Sequence, residues 1–309
     1  MSLYFSFMSK TSSIVSFRKY LLVTLFLILV SPAFAIDESE FEKKVFALDW
    51  KTEPGVYELI GTNAFLKITS EEYLVLGEDA NKYAQITEGH DRFKVDAIVS
   101  RIGGPEKETQ VYYQYIEADY IEMDDWEQHI DKDSLLEELK KATEETNKIR
   151  DKSVQKLFVD GWVEPPAIDK ERAIVYWAFS AHTESGIKIV NAKALKLGRR
   201  GFTSITWIGR LEQFENAKES LDPTLFAYTF DEGSRYLDFV AGTDKVAALG
   251  VGALAYKLIT GKKASKTGLA GVLAALAIFA KKFWFIIFIP FVFAWKWIKG
   301  LFKGNKDLS

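Results

Sequence analysis

The chain has 309 residues, 48% hydrophobic and 27% charged, with a formal net charge of −3, totals ordinary for a globular protein. It contains no cysteine, which excludes disulfides, a lipid-modified N-terminal cysteine, cysteine-ligated zinc, cysteine-held iron–sulfur clusters and thiolate chemistry. The charge is partitioned: residues 1–35 carry three bases and no acid, 36–245 carry 42 acids and 27 bases, and 246–309 carry ten lysines and one acid, Asp307.

An acidic middle between basic, apolar ends is the pattern of a membrane protein whose soluble part lies across the bilayer. At the N-terminus, Arg18 and Lys19 precede the apolar run Tyr20 to Val30. Ala33-Phe34-Ala35 then supplies the small-x-small pattern that signal peptidase reads. Eleven apolar residues fall short of the roughly 20 a membrane-crossing helix needs. The expectation is a cleaved signal peptide over 1–35, with an uncleaved signal anchor as the alternative. Either exports the domain that begins at residue 36.

Residues 36–245 are long enough for one large domain or two small ones. Short runs rich in Val, Ile, Tyr, Phe and Trp predict strands near 56–60, 64–68, 73–76, 93–99, 110–116, 155–163, 173–181, 187–197 and 202–208. Gly61-Thr62-Asn63, Gly103-Gly104-Pro105 and Glu184-Ser185-Gly186 mark turns between them. Such short connections favour antiparallel hairpins. One helix is clear from Leu135, Leu136, Leu139, Ala142 and Ile149, with Ser134 and Glu137 spaced as a capping box. Further helices are predicted near 79–87 and 211–221. The fold class is therefore α+β, a mostly antiparallel sheet with a few helices in the exported domain, followed by C-terminal membrane helices.

In "GWVEPPAIDKERAIVYWAF", residues 161–179, Pro165-Pro166 should stop strand pairing because proline has no N–H to donate. The strand after it carries Tyr176, Trp177 and Phe179. It reads as a core strand, or as one side of an aromatic groove for a ligand.

The region 246–309 is read as membrane-anchoring. Phe283 to Ile298 is apolar apart from Lys296, Lys281 and Lys282 precede it, and Trp284, Trp295 and Trp297 sit where interfacial aromatics belong. The lysines of the tail place the C-terminus in the cytoplasm by the positive-inside rule. With the middle exported, an odd number of crossings is required, and one is expected. Residues 246–280 would then lie at the membrane surface or pack on the span.

Tests for chemistry give little. The three histidines, His90, His129 and His182, are not at metal-ligand spacing, and there is no H-E-x-x-H, G-x-S-x-G or Walker A. "GVGALA", 250–255, fits the looser dinucleotide fingerprint, but no strand precedes it. Small residues for helix packing account for it better. The acid-rich stretch 117–133 lacks the EF-hand order and reads as a solvated loop. "KALKLGRRGF" gathers Lys193, Lys196, Arg199 and Arg200 around Gly198 and Gly201. It is either a hairpin turn or an anion and partner-carboxylate site, with Lys196, Arg199 and Arg200 as the candidate interaction residues. No cofactor and no metal are expected, and a domain of net −15 argues against nucleic acid.

Three stretches, "GWVEPPAIDK", "VNAKALKLGRRG" and "FDEGSRYLDFVAGTDKVAALGVGALA", together resemble the bacterial predicted membrane-anchored proteins, a family of unknown function. The resemblance covers most of the chain after the leader. It implies a signal peptide, an exported domain and a C-terminal anchor in the bacterial cytoplasmic membrane, with the main domain in the periplasm or on the outer face. It assigns no reaction. The function expected is a non-catalytic interaction or assembly factor of the cell envelope whose partners are the lipid bilayer and another envelope protein. The alternatives are an envelope hydrolase using carboxylates or an unrecognised triad, and an accessory subunit of a transporter or sensor.

Overall fold

The computed structural model describes residues 43–88, 94–101, 109–149 and 155–261. The chain divides into two units. The first comprises Met1–Val246 with Gly250–Ala264 and holds nearly all described residues; of the second, only 247–249 are described. The leader with Ala33 and Ala35, the apolar run 283–298 and its flanking Lys281, Lys282, Trp284, Trp295 and Trp297 lie outside the described residues. Among the described residues, no helix is long and apolar enough to cross a membrane.

In chain order the first unit runs β1 (Gly55–Leu59), β2 (Ala64–Ile68), β3 (Glu72–Leu76), α1 (Gly77–Glu88), β4 (Ala97–Arg101) and β5 (Thr109–Glu117). Then come α2 (Trp126–His129), α3 (Lys132–Ile149), β6 (Leu157–Asp169), β7 (Ile174–Thr183), β8 (Lys188–Gly198) and β9 (Gly201–Arg210). It closes with α4 (Ala217–Ala227), β10 (Tyr228–Phe230) and α5 (Val251–Thr260). The expected α+β class with mostly antiparallel sheet is what the unit adopts. Seven strands form one antiparallel sheet in the order β3-β4-β5-β9-β8-β7-β6, and β1-β2-β10 form a second.

Both faces of the large sheet are used, because successive side chains alternate across it. On one face Leu74, Ala97, Val99, Tyr113, Ala192, Ala194, Ile205 and Trp207 pack against the small sheet (Leu66, Ile68, Tyr228) and helix α4 (Leu221, Leu225). On the other, Val75, Ile98 and Tyr112 pack under Ala80, Tyr83 and Ala84 of α1. Two asparagines pin helices by imitating a strand neighbour. Asn81 of α1 donates to the Val95 carbonyl (3.2 Å) and accepts from its N–H (3.0 Å). Asn147 of α3 donates to the Leu157 carbonyl (2.7 Å) and accepts from its N–H (3.1 Å).

Three local expectations change. Pro165 and Pro166 do not end the strand. β6 runs through them as the edge strand of the sheet, with register shifts between Val159 and Gly161, Trp162 and Glu164, and Glu164 and Ala167. An edge position has one side on which no N–H is needed, and bulges absorb the missing donors. Helix α3 begins two residues before Ser134. Asp131 caps it, its carboxylate accepting from the Ser134 N–H (2.8 Å). The helix expected at 211–221 is a single 3-10 turn at Leu211–Gln213 followed by α4.

Gly201 holds the β8–β9 turn at φ +124°, and a Cβ there would overlap the Ile116 carbonyl of β5. Gly186, in the β7–β8 turn, has φ +83° with open space around it. The two should therefore respond differently to alanine. Gly201→Ala is expected to cost about 3–5 kcal/mol, strain plus backbone overlap. Gly186→Ala should cost only about 1 kcal/mol, the left-handed penalty alone. Urea unfolding of the two variants beside the parent reads the difference.

Candidate functional site

The residues singled out around the β8–β9 turn do not form one basic patch. In a strand, positions three apart point to opposite faces, and Lys193 and Lys196 are three apart. Lys196 lies on the face that carries α4. Its Nζ donates to the Leu225 carbonyl (2.7 Å) and the Tyr228 carbonyl (2.6 Å), at the C-terminal end of that helix. A cation suits a helix C-terminus. Burial, with the Arg172 charge nearby, pushes the Lys196 amine down to about 8.

Arg199 is committed to a contact 45 residues away. Its Nε and Nη2 donate to the two carboxylate oxygens of Asp244 (2.7 and 3.0 Å), a two-point pair with the Asp244 side chain only 5% exposed. Its backbone N–H donates to the Ser234 carbonyl (2.9 Å), and Nη1 to that of Gly233 (3.2 Å). Arg200 is exposed, while its backbone carbonyl accepts from the Tyr115 hydroxyl.

These contacts clamp the long connection 231–246, which contains a short 3-10 turn, Tyr236–Asp238, and bridges to the sheet at Gly198–Arg235 and to Tyr120 at Val246. Asp244 also accepts from the Val240 N–H (2.7 Å). Tyr120 stacks on both Tyr236 (4.5 Å between centroids) and Phe239 (4.0 Å). The Tyr236 hydroxyl donates to the Ile121 carbonyl (3.0 Å), and the Tyr120 N–H to that of Lys245 (2.9 Å). A loop held this firmly nevertheless presents Leu237 at 87% exposure, with Val240 and Val246 also exposed. Long ordered loops on a rigid scaffold are where binding groups concentrate.

In the acid-rich stretch Glu117, Glu122, Asp124, Glu127, Asp131 and Asp133 are exposed, as expected of a solvated loop, whereas Asp125 is structural. Asp125 accepts from the Gly252 and Ala253 N–H groups (2.7 and 3.0 Å) at the start of α5. A carboxylate of the chain itself thus occupies the place that an anion takes at a helix N-terminus. Cβ atoms at Gly250 or Gly252 would collide with Asp125. That is why "GVGALA" needs its glycines, and the dinucleotide reading of it fails on this geometry. Among the described residues no group of three or more ligating side chains could hold a metal.

Two other features offer less. His182 Nδ1 lies 2.7 Å from Asp160, and Phe158 stacks on its ring, but the hydrogen bonds of the described residues join no serine to this pair. His90 lies outside the described residues. A cleft of about 540 Å³ opens between α4 and strands β4, β5 and β9, lined by Glu72, Arg101, Tyr113, Trp207 and Glu219 among others. Its most enclosed acid, Glu72, already pairs with Arg101 (2.7 Å) and accepts from Thr69 (2.8 and 3.0 Å).

The clamp has a pH signature. The Arg199 guanidinium, aided by the Val240 N–H, holds the Asp244 carboxyl below its ordinary value. A depressed carboxylate contributes stability above the unfolded pKa and loses it as pH falls through the folded one. Protease cleavage within 231–246 should therefore rise as the solution is acidified below about pH 4. Asp244→Asn and Arg199→Ala should show that cleavage already at neutral pH. Arg199→Lys should fall between, since an ammonium cannot make the two-point contact.

No curated protein matches this chain. The solution structure of cyanobacterial PsbP (CyanoP) from Synechocystis sp. PCC 6803 aligns at a TM-score of 0.36 and 6% identity, covering 58% of this chain and 94% of that one. A score that low carries no argument about fold or function. The model of the family described as "Protein of unknown function (DUF2167)" matches residues 51–292, and the chain belongs to that family.

Proposed function

We propose that this protein is a membrane-anchored component of the bacterial cell envelope whose exported domain works as a non-catalytic interaction or assembly factor. The observation that carries the reading is the clamped loop 231–246. It is immobilised by the Arg199–Asp244 pair and the Tyr120 stacks, yet it displays Leu237 almost fully to solvent. Ordering a loop before binding removes an entropy cost that the complex would otherwise bear, and an isolated apolar side chain on a rigid base suits a pocket on a protein partner. In this reading Arg199 supports the surface and Arg200 contributes charge at its margin. The partner is a second envelope protein.

The anchoring half of the proposal rests on sequence. The leader-like N-terminus supports export of the domain. The apolar run 283–298, with lysines and tryptophans at its ends, supports a single span with the basic tail in the cytoplasm.

A photo-crosslinking amino acid placed at 237, in the full chain in native membranes, tests the surface. A stoichiometric crosslink to one other protein is expected at 237 and not at exposed Glu58 on the small sheet, and Arg199→Ala should weaken it. Equal products at both positions, or none at 237, would overturn the assignment.

A further inference from the structure

Strand β8 carries Lys193 and Lys196 on opposite faces, and of these two only Lys196 is satisfied. Lys196 is hydrogen-bonded to two carbonyls. Lys193 lies on the other face, directly between Trp177 of β7 and Thr206 of β9 in the strand register. The next position across from Thr206 is Tyr112 of β5. Along β8 the same-face neighbours are Asn191 and Leu195.

Most of this environment is closed to water: Trp177 is 2% exposed, Leu195 0% and Tyr112 9%. A strip through its middle is not. Asn191, Lys193, Thr206, Phe179 and Ile208 are each half-buried. Helix α1 covers the β3–β5 end of this face, and α3 packs along β6. The strip is the part of the sheet between them.

Among the described residues, the Lys193 ammonium, the Asn191 amide and the Thr206 hydroxyl have no hydrogen-bond or ion-pair partner. Nor is the ammonium sealed off, for it is not among the buried atoms left unsatisfied. Burial alone, with no neighbouring charge contributing, pushes its amine down to about 8. An unpaired cation set among aromatic and aliphatic side chains is unfavourable unless an anion joins it. Three adjacent polar groups on this face thus keep their hydrogen-bonding atoms accessible, with no partner among the described residues.

We infer that Asn191, Lys193 and Thr206 form a binding site for an anionic group, a carboxylate or a phosphate, on a ligand whose apolar part rests against half-buried Phe179. Lys193 supplies the charge. The Asn191 amide and the Thr206 hydroxyl flank it with neutral donors, which together can meet several oxygens of one anion. The aromatic groove suggested by the cluster Tyr176, Trp177 and Phe179 is thus halved. Phe179 borders the strip, Trp177 is buried beneath it, and Tyr176 points to the opposite face and packs in the main core.

The test uses the full chain in a non-ionic detergent and labels amines with trinitrobenzenesulfonate at mildly alkaline pH, with peptide mass spectrometry to resolve positions. Lys188, exposed on the same strand, is the internal reference. Inorganic phosphate or decanoate is added at constant ionic strength. At a concentration about ten times its Kd, a bound anion should slow labelling of Lys193 roughly ten-fold and leave Lys188 unchanged. Protection by decanoate alone assigns an amphipathic carboxylate. Protection by phosphate as well shows that the anionic group suffices. Lys193 labelling at the Lys188 rate with neither anion slowing it would overturn the site, and so would a Lys193 that never labels. Two variants separate binding from folding. Thr206→Val should keep the fold and require more anion for the same protection. Lys193→Met should raise Tm, because it removes the unpaired cation.

Discussion

The turn between β8 and β9 sets where the other connections of the domain sit. Two arginines, Arg199 and Arg200, separate Gly198 from Gly201, and each glycine makes room for a different neighbour. At Gly198 the Phe230 ring lies where a side chain would be, and at Gly201 the backbone of β5 does. This close approach lets β5 and β9 stay paired to the very end of the hairpin, Glu117 opposite Gly201. It also leaves the Arg199 guanidinium facing the loop that comes after β10. From that point the rest is geometry. The loop is clamped by Asp244, Tyr120 is trapped in the stack, and the stretch after β5 is led toward the start of α5.

Much of the architecture was legible because the sheet obeys period two. Nine of the ten described strands coincide with apolar, β-branched and aromatic runs, and short turns between them enforced antiparallel pairing. The tenth, Tyr228–Phe230, is three residues long and gives too little pattern to see. The prolines of β6 misled because the rule against them holds for central strands, and sequence does not say which strand is at the edge. The cap of α3 slipped from Ser134 to Asp131 because both residue types cap well and sit one turn apart.

The site was less legible, and for a different reason. Lys193, Lys196, Arg199 and Arg200 look like one cluster in a line of text. Alternation separates Lys193 from Lys196, and that much was readable once the segment was taken as a strand. The partners were not readable. Asp244 lies 45 residues from Arg199 and Asp125 lies 127 from Gly252; only the folded chain brings them together. The same holds for Asn81 and Asn147, whose amides complete a strand neighbour's hydrogen bonds. The contrast between Lys193 and Lys196 depends on such distant partners. One finds two carbonyls at a helix end, and the other finds aromatic rings.

The contact between Asp125 and α5 also defines how the domain would bear a load. Whatever holds the chain beyond Gly261, tension applied there passes along the backbone into α5 first. That helix is attached at its far end by two hydrogen bonds to one carboxylate and by the close fit of Gly252 against the Asp125 and Trp126 backbone. Asp125 in turn lies a few residues beyond β5, the third strand of the seven. A pull on the C-terminal side is thereby divided between the third strand of the sheet, reached through Asp125, and the edge strand β6, reached through the packing of α5 on α3.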